Sequence, residues 1–452
     1  MSTPLTPEPA PRAPRPLDAL PWARGLPLLG SAVPMFLDPM DFLLGEFRRL
    51  GPIFRLRALH HRFTVLAGPE ANALLGRTAD RFLAAAPSWG AFSREFNATH
   101  VLPGVDGALH YKLRRVQQQA YSRGTIAARL PETAQIARRV LATYRPGSVK
   151  LVPLCRHIVT EQLGALILGR GPGDYLDDIA LVVRFALNTR FTQLWPTQLL
   201  LLPRYQRAKK RFLEFGRDIL EGRDEREGHR PELLEDLRAA LAAEPGFISE
   251  ADSVMLALGP FIAGIDTVAN TVAFMVAALL RLPDAYARVE ADAHALLDDD
   301  APTVQRLVAA RALQGALQEA LRLYPVAPLI YRHTAQPLEF GGYLLPKGER
   351  VLFGTTMFHR MPEHFPEPDR FDIDRSHHDI ARKATPLAAY GLGPHACAGS
   401  GFAEVQMLLV AATLLHHARF ALTPDAPAPR VTRDPAPTLG QRFMVELLEL
   451  RT

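Results

Sequence analysis

Cys397 sits in the run YGLGPHACAGSGFAEV, where Gly391, Gly393, Pro394 and Gly399 impose a tight backbone and a helical pattern begins directly afterwards. A sulfur at a helix N-terminus meets free N–H donors and the positive end of the helix dipole, and both favour the thiolate. Two chemistries use such a group. A nucleophile would need a base, and His395, two residues away on a turn, is poorly placed to reach it. A metal-bound thiolate needs only a sheltered sulfur with N–H donors, which a glycine-rich loop provides. The second fits better.

A second group of interest lies in the apolar run from Val254 to Leu280, VMLALGPFIAGIDTVANTVAFMVAALL. Roughly 28 residues at ~1.5 Å each give a helix of about 42 Å, long enough to cross a bilayer. One central Asp costs about 3 kcal/mol there, which several Leu, Ile and Phe offset, so hydropathy alone does not decide. The run is the only one of its kind, Asn270 adds another polar group, and the flanks are ordinary charged helices. We therefore expect the central helix of a large protein and no transmembrane anchor. Its polar residues are then buried and need a purpose.

The elements that must position these groups can be read along the chain. TPEPAPRAPRP is Pro-rich, so residues 1–19 are expected to be an extended, flexible tail and 20–452 one large domain. The stretch from Gly25 is broken by Pro27 and Pro34 and makes a poor signal peptide. Residues 51–68 alternate as a strand pair. Helical patterns dominate from Pro69 to Pro325, including segments near 133, 205 and 231. Short strands (PLEFGG, ERVLFGT) follow, then a helix after Gly399 and a strand in RFMVELLEL. The expected fold is mainly α with a minor β portion.

Composition sets bounds. With 48% hydrophobic and 22% charged residues the chain is neither disordered nor collagen-like. Its 52 Lys plus Arg against 47 Asp plus Glu leave only +5, too little to imply nucleic acid. Two distant cysteines suit a thiol protein of a reducing, cytoplasmic compartment. Several patterns carry no chemistry on this reading. Gly391, Gly393 and Ala396 mimic a dinucleotide loop, but Pro394 removes an N–H and no acid follows about 20 residues on. His377, His378 and Asp379 read as a solvated turn, and Pro362 prevents the one-face helix that His359 and His364 would need as zinc ligands. Lys209, Lys210 and Arg211 read as a wet helix face, and Cys155 as a small buried hydrophobe.

Tyr390-x-x-Gly393-x-His395-x-Cys397-x-Gly399 resembles the haem-ligand loop of cytochromes P450. Three more stretches match that family in its order. Ala263-Gly264-Ile265-Asp266-Thr267 resembles the oxygen-binding part of its central helix, Glu319-Ala320-Leu321-Arg322 its E-x-x-R pair, and Pro368-Asp369-Arg370-Phe371 the motif whose Arg completes a buried network with that pair. His110 and Arg114 fit an H-x-x-x-R that meets a haem propionate, and Arg332 another propionate contact. The family usually has Phe at Tyr390 and Arg or His at His395.

The resemblance implies a single haem-thiolate domain holding haem b (iron protoporphyrin IX) on Cys397. Tyr390, His395, Gly393 and Gly399 belong to its loop, and His110, Arg114 and Arg332 to its propionates. Thiolate ligation favours O–O cleavage. Ala263 and Thr267 share a helix face at i and i+4. Gly264, without a Cβ, would let the backbone approach the iron's open side. Thr267 can bond back to the Ala263 carbonyl and slacken the helix. Asp266 and Thr267 would then deliver protons for O2 activation. Glu319, Arg322 and Arg370 are expected to brace the loop rather than catalyse.

The implied activity is a monooxygenase acting with O2 on a bulky lipophilic substrate such as a terpenoid, steroid, carotenoid or fatty acid. Phe92, Phe96, Val326, Ile330 and Leu439 are expected to line its pocket, with Leu194 to Leu202 at the entrance. No flavin or nicotinamide motif is visible, so a ferredoxin or flavodoxin-type donor is expected, docking near Lys112, Arg115 and Arg123. A haem-dependent lipophile carrier or sensor, or a peroxide-driven haem-thiolate enzyme, are the alternatives; the latter usually lacks an Asp–Thr pair.

Overall fold

The alternating run after Gly51 closes as an antiparallel hairpin, β1 (Ile53–Ala58) against β2 (His61–Ala67), with Phe54 facing Val65. The computed structural model describes residues 13–222, 232–244, 246–375, 387–424, 429, 431–433 and 437–451. The hairpin is one edge of a five-stranded sheet completed by β3 (Leu83–Ala84), β4 (Ile330–Thr334) and β5 (Arg350–Gly354), in the order β1-β2-β5-β4-β3. β2 and β5 run parallel and the other pairs antiparallel, which places Arg332 of β4 opposite Val351. Smaller sheets join Gly147–Lys150 to the C-terminal strand Met444–Leu450, and Arg15–Pro16 to Tyr343–Leu345. Arg15–Pro16 pairs with this sheet and Leu17–Ala19 forms a short 3-10 turn, both within the stretch expected as tail. The remaining expected tail residues up to 12, and His377, His378 and Asp379, lie outside the described residues.

The helices that position the site are α1 (Ala86–Glu95), α2 (Gly107–Gln118), α3 (Leu130–Leu141), α4 (Leu151–Ile167), α5 (Leu176–Ala186) and α6 (Pro203–Leu220). They are followed by α7 (Glu250–Ala257), α8 (Gly259–Leu279), α9 (Pro283–Leu297), α10 (Arg311–Leu323) and α11 (Ser400–His417). Their apolar residues recur at three- and four-residue spacing. On α3, Leu130, Ala134, Ala137 and Leu141 all face the core. Each fully buried Leu or Ile stabilises by roughly 1.5–3 kcal/mol relative to exposure, which is why short helices of modest propensity persist here.

α7 and α8 form one 30-residue rod from Glu250 to Leu279, the one helix among the described residues long and apolar enough for a membrane, and it lies mostly inside the protein. α4, α10 and α11 pack around it. Its single interruption falls at Leu258, directly before Gly259-Pro260. Pro260 has no N–H to return to the preceding turn. The slackening expected around Thr267 does not interrupt the helix, which stays regular there. The start of α7 is fixed by a capping box: Ser249 and Asp252 bond each other's backbone N–H. Asp252 also accepts from the backbone N–H of Thr99 and His100, at 2.6 and 2.7 Å, tying a distant loop to the rod.

Candidate active site

Gly391 and Gly393 both adopt φ +73°, a left-handed conformation that side chains resist. A Cβ on Gly393 would also lie 2.3 Å from the Leu75 carbonyl oxygen. The turn they create brings the Cys397 N–H to the Tyr390 carbonyl at 2.8 Å, and the Arg114 guanidinium on α2 donates to the Ala396 carbonyl at 2.7 Å. α11 starts at Ser400, and the Gly399 N–H donates to the Cys397 sulfur. Burial pushes the Cys397 thiol up, and that N–H together with Arg114 pulls against it. The sulfur nevertheless remains accessible, unlike Cys155, which is fully buried with its thiol pushed up to about 12 by burial. Gly399 differs from its neighbours: its φ is −95° and a Cβ there would meet nothing within 4 Å. The fold itself does not demand glycine at that position. The Tyr390 hydroxyl is buried without a partner among the described residues; burial, then Glu404 and Cys397, raise its pKa.

Beside the loop, two arginines and two histidines converge. His110 is buried, its ring centroid 3.9 Å from that of His395. Burial, then His395 and Arg114, push its pKa down to about 4. His395 Nε2 lies 3.0 Å from Asp106 Oδ1, and Asp106 accepts from the N–H groups of Ala85 and Ala86 as well. Burial raises the Asp106 carboxyl, but those bonds outweigh it and hold it below the ordinary range. Arg332 is 8% exposed, and its one hydrogen bond among the described residues goes to the carbonyl of its own neighbour Tyr331. Burial pushes its pKa down to about 10. Of these groups only His395 bonds a carboxylate, Asp106, while Arg114 and Arg332 donate to main-chain carbonyls. A buried guanidinium without a bonded anion is costly, and this surplus fits a ligand carrying two carboxylates, as haem does with its propionates.

α8 has an uneven surface. Ile265, Val268 and Ala269 are buried, whereas Ala263 is accessible and Gly264 and Thr267 are half-buried. The Thr267 hydroxyl donates to the Ala263 carbonyl at 2.8 Å. Two contacts with α4 bear on this stretch. A Cβ on Gly264 would lie 2.9 Å from the end of the Leu163 side chain on α4. Asp266 shares no hydrogen bond with the Thr267 hydroxyl; its carboxylate takes Arg156 of α4, whose remaining nitrogen donates to Gln441 at 3.0 Å. The exposed Cys397 and the arginines and histidines beside it suit haem's iron and propionates, and the Ala263–Thr267 stretch of α8 keeps an accessible face.

The brace is present with one member exchanged. Glu319 and Arg322 are fully buried and pair at 2.6 and 2.8 Å. Arg322 also donates to the carbonyls of His359, Pro368 and Arg370. Arg370 contributes only that carbonyl; its guanidinium is exposed and pairs with Glu367. The cation at Glu319 is Arg375, Nε to Oε1 3.2 Å, and almost wholly buried. The motif placed an arginine on the right segment, but the turn after Pro368 carries Arg370 outward. His359, set aside as a zinc ligand, links brace to loop: its Nε2 accepts the Ala388 N–H at 3.2 Å in the turn leading to Gly391.

Of the expected pocket residues, Phe92 and Phe96 are buried with ring centroids 5.2 Å apart. Val326 and Ile330 are half-buried, and Leu439 is buried two residues from Gln441. Leu200 is buried, whereas Leu194 and Leu201 are exposed. Lys112 pairs with Glu244 and Arg123 with Glu404, which leaves Arg115 as the candidate docking cation without a partner among the described residues. Sequence reasoning missed Asp106, Arg156 and Arg375. An arginine inside the apolar run LVPLCRHIVTEQL was the available signal for Arg156, because a cation there needs an acid. Nothing marked Arg375.

The chain is a mainly helical domain with small sheets, a cysteine just ahead of a helix N-terminus and arginines and histidines beside it. The cytochrome P450 family model matches residues 20–442, and the chain belongs to that family of monooxygenases. It is 27% identical to cyclooctat-9-en-7-ol 5-monooxygenase of Streptomyces melanosporofaciens, over 89% of this chain and 91% of that protein. It is 24% identical to abscisic acid 8'-hydroxylase 1 of rice (Oryza sativa subsp. japonica), over 88% of this chain and 83% of that one. A cyanobacterial P450 solved with bound retinoic acid shares the fold, with a TM-score of 0.80, 24% identity and coverage of 97% of this chain and 100% of that one.

Proposed function

We propose that Cys397 is the axial thiolate of haem b and that this P450 inserts one oxygen atom from O2 into a bulky, mostly hydrocarbon substrate. The observation that carries the reading is the accessible Cys397 sulfur, bonded by the Gly399 N–H at the start of α11. When bound, haem supplies the reductive activation of O2 and its transfer to a C–H bond.

The chain's own residues do the rest. The Gly399 N–H and Arg114 soften the charge on sulfur, which keeps it a ligand without making it a free base. His110, Arg114, Arg332 and His395 orient the propionates. The Thr267 hydroxyl, anchored on the Ala263 carbonyl, holds a proton at the accessible face of α8, and Asp266 resupplies it from the side where Arg156 holds the carboxylate. Phe92, Phe96, Val326, Ile330 and Leu439 exclude water and shape the substrate site. The relatives named above act on cyclooctat-9-en-7-ol and abscisic acid, and an aromatic wall suits a terpenoid of that kind. Electrons come from a separate ferredoxin- or flavodoxin-type protein, with Arg115 as a docking contact.

The test is Cys397→Ser. The reduced carbon monoxide complex of the variant is expected to lose its long-wavelength Soret band, and its retention would exclude Cys397 as the ligand. A panel of lipophiles read by substrate-induced haem shifts then identifies the substrate class.

A further inference from the structure

A cleft of about 230 Å³ lies between α3 and the last turns of α4, and part of its wall comes from the glycine-rich turn that follows α4. Glu161 and Ala165 of α4 share one helix face and line it. Leu163, about 200° round the same helix, lies instead against Gly264 of α8. The cleft is therefore on the side of α4 that faces away from the central helix. The turn beside it is built without side chains where it comes close. Gly169 takes φ +71° and reverses the chain. A Cβ on Gly171 would lie 2.5 Å from Glu161 Oε2, so glycine there leaves the carboxylate room. Arg170, between the two glycines, has its guanidinium 5.3 Å from the Phe215 ring.

Four charged side chains line the cleft, and two of them are spent on each other. Arg129 grips both oxygens of Glu132, Nε to Oε2 at 2.7 Å and Nη2 to Oε1 at 2.8 Å, and gives Nη1 to the Leu166 carbonyl at 2.8 Å. The other two, Arg139 and Glu161, face the same space, yet neither side chain makes a hydrogen bond or ion pair among the described residues. Glu161 is half-buried, and burial raises its carboxyl more than His157 and Arg139 lower it. A sheltered carboxylate in that setting gains from a charged donor. Arg139 is exposed, so the cleft has an anion within and a cation at its mouth. Between them Ile136 and Ala165 supply an apolar wall.

We propose that this cleft binds a small α-amino acid with an aliphatic side chain, its ammonium on Glu161, its carboxylate on Arg139 and its side chain against Ile136 and Ala165. The two unpaired groups call for opposite charges, so a simple amine leaves Arg139 unanswered and a simple carboxylate leaves Glu161 so. A zwitterion satisfies both and keeps the cleft neutral. The space is smaller than the roughly 300–1,000 Å³ usual for drug-sized ligands, which suits a molecule the size of leucine and not the bulky substrate expected at the haem.

Isothermal titration of the haem-loaded protein with L-leucine tests this. Saturable binding is expected with a Kd of about 1 mM or below and no shift of the haem absorbance. Glu161→Gln and Arg139→Gln should each weaken it about tenfold or more. Against the wild type, L-leucinamide, which lacks the carboxylate, and N-acetyl-L-leucine, which lacks the ammonium, should bind correspondingly less well. Absence of saturable binding, an affinity unchanged in the variants, equal binding of either blocked analogue, or a Soret shift caused by leucine would each overturn the site. Arg139 is exposed, so Arg139→Gln decides on the same criteria should Glu161→Gln fail to fold.

Discussion

Arg156 places Nε and Nη2 on a single oxygen of Asp266, at 3.0 and 2.6 Å, from the helix next door. The acid beside Thr267 is therefore aimed at a cation, not at the hydroxyl, and through Gln441 it is tied to the loop that carries Leu439. Arg156→Leu removes the counter-charge and frees the carboxylate. With a surrogate electron donor, a larger share of consumed O2 should then appear as hydrogen peroxide, while the reduced carbon monoxide spectrum is unchanged. Both side chains are about one-fifth exposed, so the stability cost should stay near 1 kcal/mol. An unaltered peroxide yield would show that Arg156 has no part in proton supply.

The exchange of Arg370 for Arg375 in the brace separates two variants of the same segment. Arg375→Ala leaves the buried Glu319 with less positive charge and is expected to cost about 3 kcal/mol. Arg370→Ala removes only a surface pair and should fall within about 0.5 kcal/mol of wild type. Urea denaturation of both variants measures this, and the reverse order would restore Arg370 to the brace.

Two glycines of the cysteine loop should respond differently. Gly393→Ala forces a Cβ into the Leu75 carbonyl at a left-handed φ and is expected to destabilise by 1–3 kcal/mol or about that. Gly399→Ala meets neither obstacle, so the chain should fold normally yet retain less haem. Thermal unfolding and haem content per chain, measured together, check both; full haem occupancy in Gly399→Ala would show that the porphyrin does not crowd this position.

Asp252 predicts the acid limb of stability. Burial raises its carboxyl, but bonds from His100, Ser249 and Thr99 outweigh it and bring the pKa down from 3.8 to about 2. A depressed carboxylate contributes stability that is fully present above the unfolded value and is lost as pH falls from about 3.8 toward 2. Asp252→Asn should therefore cost about 2 kcal/mol at neutral pH, and its unfolding free energy should vary less between pH 5 and pH 2 than that of wild type. Parallel pH profiles would contradict the assignment.

The long apolar rod, the hairpin and the cysteine loop were legible because each is written locally, in periodicity or in glycine spacing. The partners were not. Asp266 and Thr267 are adjacent in the chain, yet a helix sends neighbouring side chains about 100° apart, and only the packing of α4 reveals Arg156. The Leu163 side chain beside Gly264 is likewise a contact that only packing shows. Arg370 and Arg375 differ by the course of one turn, which no motif encodes. Lys209 looked solvated because its acid, Glu95, lies more than a hundred residues upstream, at the end of α1.

Arg322 grips the segment from His359 to Arg370 through three main-chain oxygens, with the Phe365 ring 5.4 Å from its guanidinium, and a Cβ on Gly315 would strike the Ile373 carbonyl at 1.9 Å. The helix therefore recognises the path of that segment and hardly its residue types. A randomised library across 366–372 should yield many functional clones, whereas one over Gly315, Glu319 and Arg322 should yield almost none. Tolerance to change in this enzyme is thus distributed by which atoms make the contacts, not by how near a residue lies to the iron.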